Sequence, residues 1–142
     1  MINNLMKILD LFESADSRHN LIDVFGKFLP FIVKEYNLQS LPTIKLVSKV
    51  PDTEQPTFGK YVDDEKTIYL AILDRHPLDI LRTFAHELAH FVQDIEDRLN
   101  PYSGETGSKE ENEAHELAGI AMRHFNKAHP EYFTNIEIPQ SK

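Results

Sequence analysis

The chain has 142 residues and a formal net charge of −8, with 41% hydrophobic and 27% charged residues. This length and composition predict one globular domain over residues 1–142. Cysteine is absent, which excludes disulfides, thiolate zinc sites and cysteine nucleophiles, so any metal must be held by histidine and carboxylate. The acidic balance argues against nucleic-acid and anionic-membrane partners, because both require a basic protein surface.

The N-terminal segment, residues 1–19, begins "MINNLMKILDLFE", in which apolar residues recur at helical spacing. Lys7 and Asp10 interrupt the pattern, so the segment makes a poor secretory signal. No stretch of the sequence approaches the ~20 apolar residues that are needed to span a bilayer. We therefore predict a soluble, intracellular protein whose N-terminal segment is a short amphipathic helix that packs on the domain or on a partner.

A helix is predicted over residues 20–37, with a kink where Pro30 removes a backbone donor. Its inward face is predicted to consist of Leu21, Val24, Phe25, Phe28, Leu29, Ile32 and Val33. The stretch "TIKLVSKV" then alternates as a strand does, and "TFGKYV" and "KTIYLAIL" form a hairpin through the turn "DDE". The middle of the chain is therefore expected to be a small, largely antiparallel sheet.

A long helix is predicted from Pro77 to about Asn100, since apolar residues recur at intervals of three and four between them. Proline suits the first helical position, and His76 before it is expected to cap the helix rather than to act in catalysis. A polar loop, "NPYSGETGS", leads to a last helix, "KEENEAHELAGIAMRHF", where Ser108 and Glu111 have the spacing of a capping box. The fold class predicted is α+β.

The long helix contains "HELAH", in which His86 and His90 lie four residues apart. Residues at this spacing differ by ~40° around a helix, so both imidazoles project from one side and can bind one metal. Glu87 lies ~100° from His86, where it can act as general base on a metal-bound water molecule. The alternative is an ordinary amphipathic helix. We favour the metal site because the otherwise uncharged run from Thr83 to Val92 predicts burial, and buried histidines need partners.

A catalytic zinc ion takes three protein ligands, and the last predicted helix supplies the candidates for the third. Its inward face is predicted to consist of Ala114, Leu117, Ala118, Ala121, Met122 and Phe125. At ~100° per residue, Glu110 falls within this face and Glu113 at its edge, whereas His115 and Glu116 point away. With Glu111 assigned to the capping box, Glu113 and Glu110 remain, although charge at a helix N-terminus would also explain Glu110.

The stretch "TFAHELAHFV" resembles the extended signature of the zincin metallopeptidases, including the threonine three residues before the first histidine. The order of sheet, motif helix and second helix, over residues 40–126, also resembles the zincin N-terminal half. In gluzincins the third ligand is a glutamate on a later helix, between an asparagine and a small residue, and "NEA" matches Glu113 to it. The resemblance implies a minimal zincin-like fold with one zinc ion per chain, held by His86, His90 and Glu113. Gluzincins often place an acidic residue four positions after this ligand to orient a zinc histidine, and Leu117 departs from that pattern.

The implied activity is zinc-dependent hydrolysis of peptide bonds in a peptide or protein substrate. Glu87 would take a proton from zinc-bound water and pass it to the leaving amine. Tyr102, His115 and His124 are candidate donors to the developing oxyanion. Zincins bind substrate by backbone pairing with an edge strand, for which "TIYLAIL", Thr67–Leu73, is expected here.

Three segments, "RHPLDILRTFAHELAH", "GETGSKEENEA" and "FNKAHPEYF", resemble small metallopeptidase-like proteins of tailed phages. This implies a place in an infected bacterial cell or a virion, with phage structural proteins as partners. Prohead proteases of large phages cut after Leu-x-Glu motifs, which "LFE" at Leu11–Glu13 fits.

Two other functions compete with that of a peptidase. Few residues follow Glu113 to build the C-terminal subdomain of a gluzincin cleft, so the alternative is a non-catalytic virion or binding protein with a structural zinc site. A structural site needs only its ligands, and the presence of Glu87 favours the enzyme. A DNA–protein-crosslink protease would need a basic tail or zinc ribbon, and this acidic, cysteine-free chain has neither.

Overall fold

The computed structural model describes residues 19–51, 57–103, 105–134 and 136–140. The predicted N-terminal helix and the "LFE" motif lie outside these residues. The protein is a small α+β protein with the following elements: α1 (Leu21–Glu35), β1 (Thr43–Val47), β2 (Gly59–Val62), β3 (Thr67–Ala71), α2 (Pro77–Ile95), α3 (Lys109–Ala128) and a 3₁₀ helix (Pro130–Phe133). Within the described residues, no helix combines the length and apolar character that crossing a membrane requires.

Helix α1 begins after Asn20, whose side chain accepts a hydrogen bond from the backbone of Asp23, and it continues through Pro30 to Glu35. Four residues of the predicted inward face are fully buried: Leu21, Val24, Phe28 and Ile32. The Phe28 ring lies 5.0 Å from that of Phe125 on α3 and 6.2 Å from that of Phe84 on α2. Helix α1 therefore packs against both α2 and α3, the helices that carry the candidate site.

The sheet has three strands in the order β1-β3-β2. The predicted hairpin is confirmed, because β2 pairs antiparallel with β3. The prediction of a largely antiparallel sheet is wrong, because β1 runs parallel to β3. Strand β2 follows β1 in the chain but lies on the opposite side of β3, so β1 and β2, consecutive in the chain, are not paired with each other.

The central position of β3 also overturns the expectation that Thr67–Leu73 is an edge strand. Both of its neighbours are paired to it, and Ile68 and Leu70 are fully buried. Among the described residues, the edge strand that packs over the motif helix is β2. Sheet order depends on pairing between distant segments, and the alternation of apolar residues within one strand does not determine it.

Helix α2 begins as predicted, with Pro77 in its first turn and the Nδ1 atom of His76 accepting a hydrogen bond from Leu78 N at 3.1 Å. It ends at Ile95, so the predicted end near Asn100 is wrong. Asp97 takes the left-handed conformation with φ of 58°. The Asp97 and Arg98 amides donate to the carbonyls of Asp94 and Gln93 at 2.9 and 2.8 Å. These bonds form a Schellman motif, in which an aspartate occupies the position usually taken by glycine.

Helix α3 begins as predicted after Ser108, whose hydroxyl accepts a hydrogen bond from Glu111 N at 3.0 Å. It packs against α2 through the predicted face, except that Leu117 is only half-buried. The buried residues of this face are Ala114, Ala118, Ala121, Met122 and Phe125. Three of them are alanines, which allow the two helices to approach closely.

Candidate metal centre

The two histidines of α2 project from one side of the helix, as their spacing predicts. Their ring centroids lie 5.1 Å apart. His90 is buried, with 8% of its surface exposed, and His86 is half-buried. Burial lowers the pKa of His86 below its usual value, against the opposing attraction of the Glu111 carboxylate. A neutral imidazole is the form that binds a metal ion.

The carboxylate beside both histidines belongs to Glu111. One oxygen, Oε1, lies 3.1 Å from Nε2 of His86 and 3.0 Å from Nε2 of His90. The ligand atoms of the three side chains all lie within 4.8 Å of one another, and among the described residues these three form the group suited to a metal ion. Helix α3 places the carboxylate there because Glu111 is one turn before the buried Ala114, on the face that packs against α2.

Glu113 and Glu110, the two glutamates that the sequence favours as third ligand, are directed elsewhere. Oε1 of Glu113 accepts a hydrogen bond from Gln93 at 2.8 Å and lies 3.1 Å from Arg98. The hydrogen bond from Gln93 holds the pKa of Glu113 below its usual value, with help from Arg98. Oε1 of Glu110 accepts from the Ser103 hydroxyl at 2.9 Å. The structure thus brings Glu111 to the histidines, and not Glu113.

The capping box explains why the sequence pointed away from Glu111. Only half of the box forms, since the Ser108 hydroxyl accepts from the Glu111 amide but the Ser108 amide donates to the Glu105 carbonyl at 3.0 Å. The Glu111 carboxylate is therefore left to face α2. One signal in the sequence does identify it, because Glu111 continues the three-and-four spacing of the buried residues Ala114 and Ala118 toward the helix N-terminus.

Glu87 lies between α2 and the edge strand β2. Its Oε1 accepts a hydrogen bond from the backbone of Tyr61 at 3.0 Å. Burial, together with the nearby Glu111 charge, raises the pKa of Glu87 to about 7 against the opposing effects of His90 and the Tyr61 amide. A carboxyl group with a pKa in this range can both accept and return a proton near neutral pH.

A glycine sets the close contact between β2 and α2. A Cβ atom placed on Gly59 would lie 2.4 Å from Cγ2 of Thr83 and 3.3 Å from Cγ of Glu87. Thr83, the threonine of the zincin-like signature, donates to the Asp79 carbonyl at 3.0 Å and accepts from Arg75 at 2.8 Å. Thr83 therefore contributes to the packing of β2 on α2.

An open groove of about 520 Å³ follows the outer edge of β2 and contains the site. A second depression of about 300 Å³ adjoins it. The residues that line both are Thr57, Gly59, His86, Glu87 and Glu111. The candidate ligands and the candidate base therefore face one surface that a substrate can reach.

The three candidate oxyanion donors lie in different places. The His115 ring is 4.7 Å from that of His86, and its Nε2 is 3.7 Å from Glu111. His124 pairs with Glu35 of α1 at 2.5 Å, and Tyr102 is 67% exposed on the loop between α2 and α3. Of the three, the structure brings His115 next to the site, although its helical position suggested that it points away.

The donor set fits a zinc ion, since two imidazole nitrogens and one carboxylate form a known ligand set of catalytic zinc. The Glu111 oxygen already lies within hydrogen-bonding distance of both nitrogens. Comparison with family models, curated proteins and solved structures finds no match for this chain. The assignment of a function therefore depends on the geometry and chemistry of this group.

Proposed function

We propose that this protein is a zinc-dependent peptidase with a minimal zincin-like fold, in which His86, His90 and Glu111 hold the metal and Glu87 is the general base. One observation carries the proposal: a single Glu111 oxygen lies 3.0–3.1 Å from Nε2 of both motif histidines. Such a site needs an anionic oxygen and two ring nitrogens converging on one point. The three residues come from two different helices, and they line the same groove as Glu87.

Zinc, when bound, supplies a Lewis acid that lowers the pKa of water and polarises a carbonyl group. The protein itself holds the ion and transfers the proton of the attacking water molecule. Glu87 accepts a proton from the attacking water molecule and returns it to the leaving amine. The bond from the Tyr61 amide to Oε1 orients the carboxylate, and its second oxygen takes part in proton transfer.

We infer that the substrate lies extended along β2. The Phe58 carbonyl accepts a hydrogen bond from the Ala71 amide at 2.9 Å. In an antiparallel pair the backbone groups of alternate residues point to opposite sides of the strand, so the N–H and C=O groups of Gly59 and Tyr61 point away from β3. A peptide that pairs with this edge uses the outward Gly59 amide and Tyr61 carbonyl, because the Tyr61 amide is already bonded to Glu87. It crosses the groove beside that carboxylate, and backbone pairing of this kind gives affinity with little demand on sequence.

The groove favours an enzyme over a protein with a structural zinc site. A structural site is coordinatively closed, whereas these ligands line an open groove of about 520 Å³ together with a carboxylate of raised pKa. The bacterial or virion location and the phage partners remain predictions from the sequence resemblance.

The test begins with metal content, measured by mass spectrometry on protein purified without chelator. We expect one zinc ion per chain in the wild type, and an affinity that falls at least about tenfold further in Glu111→Ala than in the matched variant Glu113→Ala. A larger loss of zinc affinity in Glu113→Ala than in Glu111→Ala would identify Glu113 as the third ligand instead. No binding when zinc is offered to the wild type would refute the metal site.

Activity is then measured on a peptide library with zinc present. Glu87→Gln keeps the size of the side chain and leaves all three ligands in place, so we expect an unchanged zinc content and a loss of cleavage of about 100-fold or more. Cleavage that survives in Glu87→Gln would exclude Glu87 as the base. A wild type that binds zinc but cleaves no member of the library would favour the structural zinc site.

A further inference from the structure

Gln93 lies one helical turn after His90 on α2 and is fully buried, with 0% of its surface exposed. Both ends of its amide are hydrogen-bonded. Oε1 lies 2.8 Å from Nδ1 of His90, and Nε2 donates to the Glu110 carbonyl at 3.0 Å and to the Glu113 carboxylate at 2.8 Å. A buried amide is costly unless its donors and acceptors are satisfied, so this arrangement is a specific one.

The partners of Gln93 determine which way its amide is turned. A backbone carbonyl and a carboxylate can only accept hydrogen bonds, so both must receive N–H groups from Nε2. The amide oxygen then faces His90, and its hydrogen bond requires a proton on Nδ1 of that ring. Nε2 is then the nitrogen that can bind a metal ion. It lies 3.0 Å from the Glu111 carboxylate, so in the metal-free protein a proton on one of these two groups must bridge them, while Nδ1 keeps its own proton.

The same contacts connect the two helices that supply the ligands. Arg98, just after α2, lies 3.1 Å from the Glu113 carboxylate, and Glu113 holds Gln93. Glu113 and Glu110 flank Glu111 in the first turns of α3. The chain of contacts from Arg98 to His90 therefore holds the start of α3 against α2 at the point where Glu111 meets the histidines.

We propose that Gln93 is a positioning residue that holds His90 in the tautomer whose Nε2 binds the metal, and that Glu113 acts through Gln93. A role in metal binding rests on the proposed function. The protonated state of Nδ1, in contrast, is a property that the metal-free protein must also have. Loss of a partner that orients a metal-bound histidine typically weakens metal affinity by about 10- to 100-fold.

The first measurement is the ¹⁵N NMR spectrum of histidine-labelled protein, metal-free and zinc-loaded, with His90 assigned from a His90→Gln variant. We expect a proton on Nδ1 of His90 in the wild type and mixed tautomers in Gln93→Leu. Zinc affinity, measured by competition with a chromophoric chelator, should fall about 10- to 100-fold in Gln93→Leu. The matched control is Gln39→Leu, at an exposed glutamine, which should change neither.

A paired exchange keeps the test decisive if Gln93→Leu fails to fold. Gln93→Glu alone sets a carboxylate against that of Glu113, and we expect it to weaken zinc binding at least about tenfold relative to the double variant with Glu113→Gln. In the double variant, the amide at position 113 donates to the carboxylate at position 93, which accepts from Nδ1 of His90. The Glu110 carbonyl loses its donor equally in both variants, so the difference between them reports on the contact between positions 93 and 113. Rescue supports a hydrogen-bonded relay, and absence of rescue overturns it.

Two results would overturn the inference directly: an unprotonated Nδ1 on His90 in the wild type, or a folded Gln93→Leu with unchanged tautomer and zinc affinity within about twofold of wild type. A different result is a wild type that binds no zinc while the proton on Nδ1 of His90 still depends on Gln93. That result would refute the proposed function and leave the positioning contact established.

Discussion

Among the glycines that the structure describes, Gly59 is the one where an added methyl group would overlap with its neighbours. In Gly59→Ala the new Cβ would lie 2.4 Å from Cγ2 of Thr83. Ordinary contacts begin at 3.4 Å, so β2 must move away from α2 by about 1 Å or Thr83 must leave its place. Overpacking of this kind costs typically about 1–3 kcal/mol of folding free energy.

Gly26→Ala is the matched control for this substitution. Gly26 lies inside α1, where an added Cβ has no heavy atom within 4 Å. Replacing glycine by alanine inside a helix should stabilise the protein by about 0.5–1 kcal/mol. The two variants carry the same chemical change and should move the free energy of unfolding in opposite directions.

The assay is urea denaturation of both variants in the presence of a chelator, so that metal binding does not contribute. The displacement of β2 should also lengthen the hydrogen bond from the Tyr61 amide to Glu87 and lower peptidase activity in Gly59→Ala alone. If Gly59→Ala is as stable as the wild type, the close packing of β2 on α2 is refuted, and with it the position of the groove.

Two further predictions concern zinc and pH. Free zinc at 100 times the wild-type dissociation constant should add about 2.7 kcal/mol to the free energy of unfolding of the wild type and of Glu87→Gln, in urea titrations with buffered zinc. In Glu111→Ala the same zinc concentration should add about 1.4 kcal/mol or less, because an affinity loss of about tenfold leaves zinc at only about ten times the dissociation constant. Burial raises the pKa of Asp94, but hydrogen bonds from Lys66 and Tyr61 outweigh this effect and hold the pKa below the usual 3.8. Its stabilising effect is therefore present above pH 3.8 and lost as the pH falls through the lowered value. Asp94→Asn should cost about 1–2 kcal/mol at pH 7 and progressively less below pH 3.8, which thermal unfolding across pH will check.

Much of the local structure could be predicted from the sequence. The three helices and the hairpin follow from the period of the apolar residues, and Pro77 and Ser108 mark two helix starts. The common direction of His86 and His90 follows from a spacing of four residues on any helix. These features depend on interactions between near neighbours, so they hold wherever the segment lies in the fold.

The tertiary structure alone decided two other features. Glu110, Glu111 and Glu113 lie within one turn of α3, so the one that meets the histidines depends on how α3 is set against α2. Strand β2 is the edge strand beside the site because β1 pairs with the other side of β3. Both depend on contacts between residues far apart in the chain, and the spacing within α3 indicates only that Glu111 lies on its inward face.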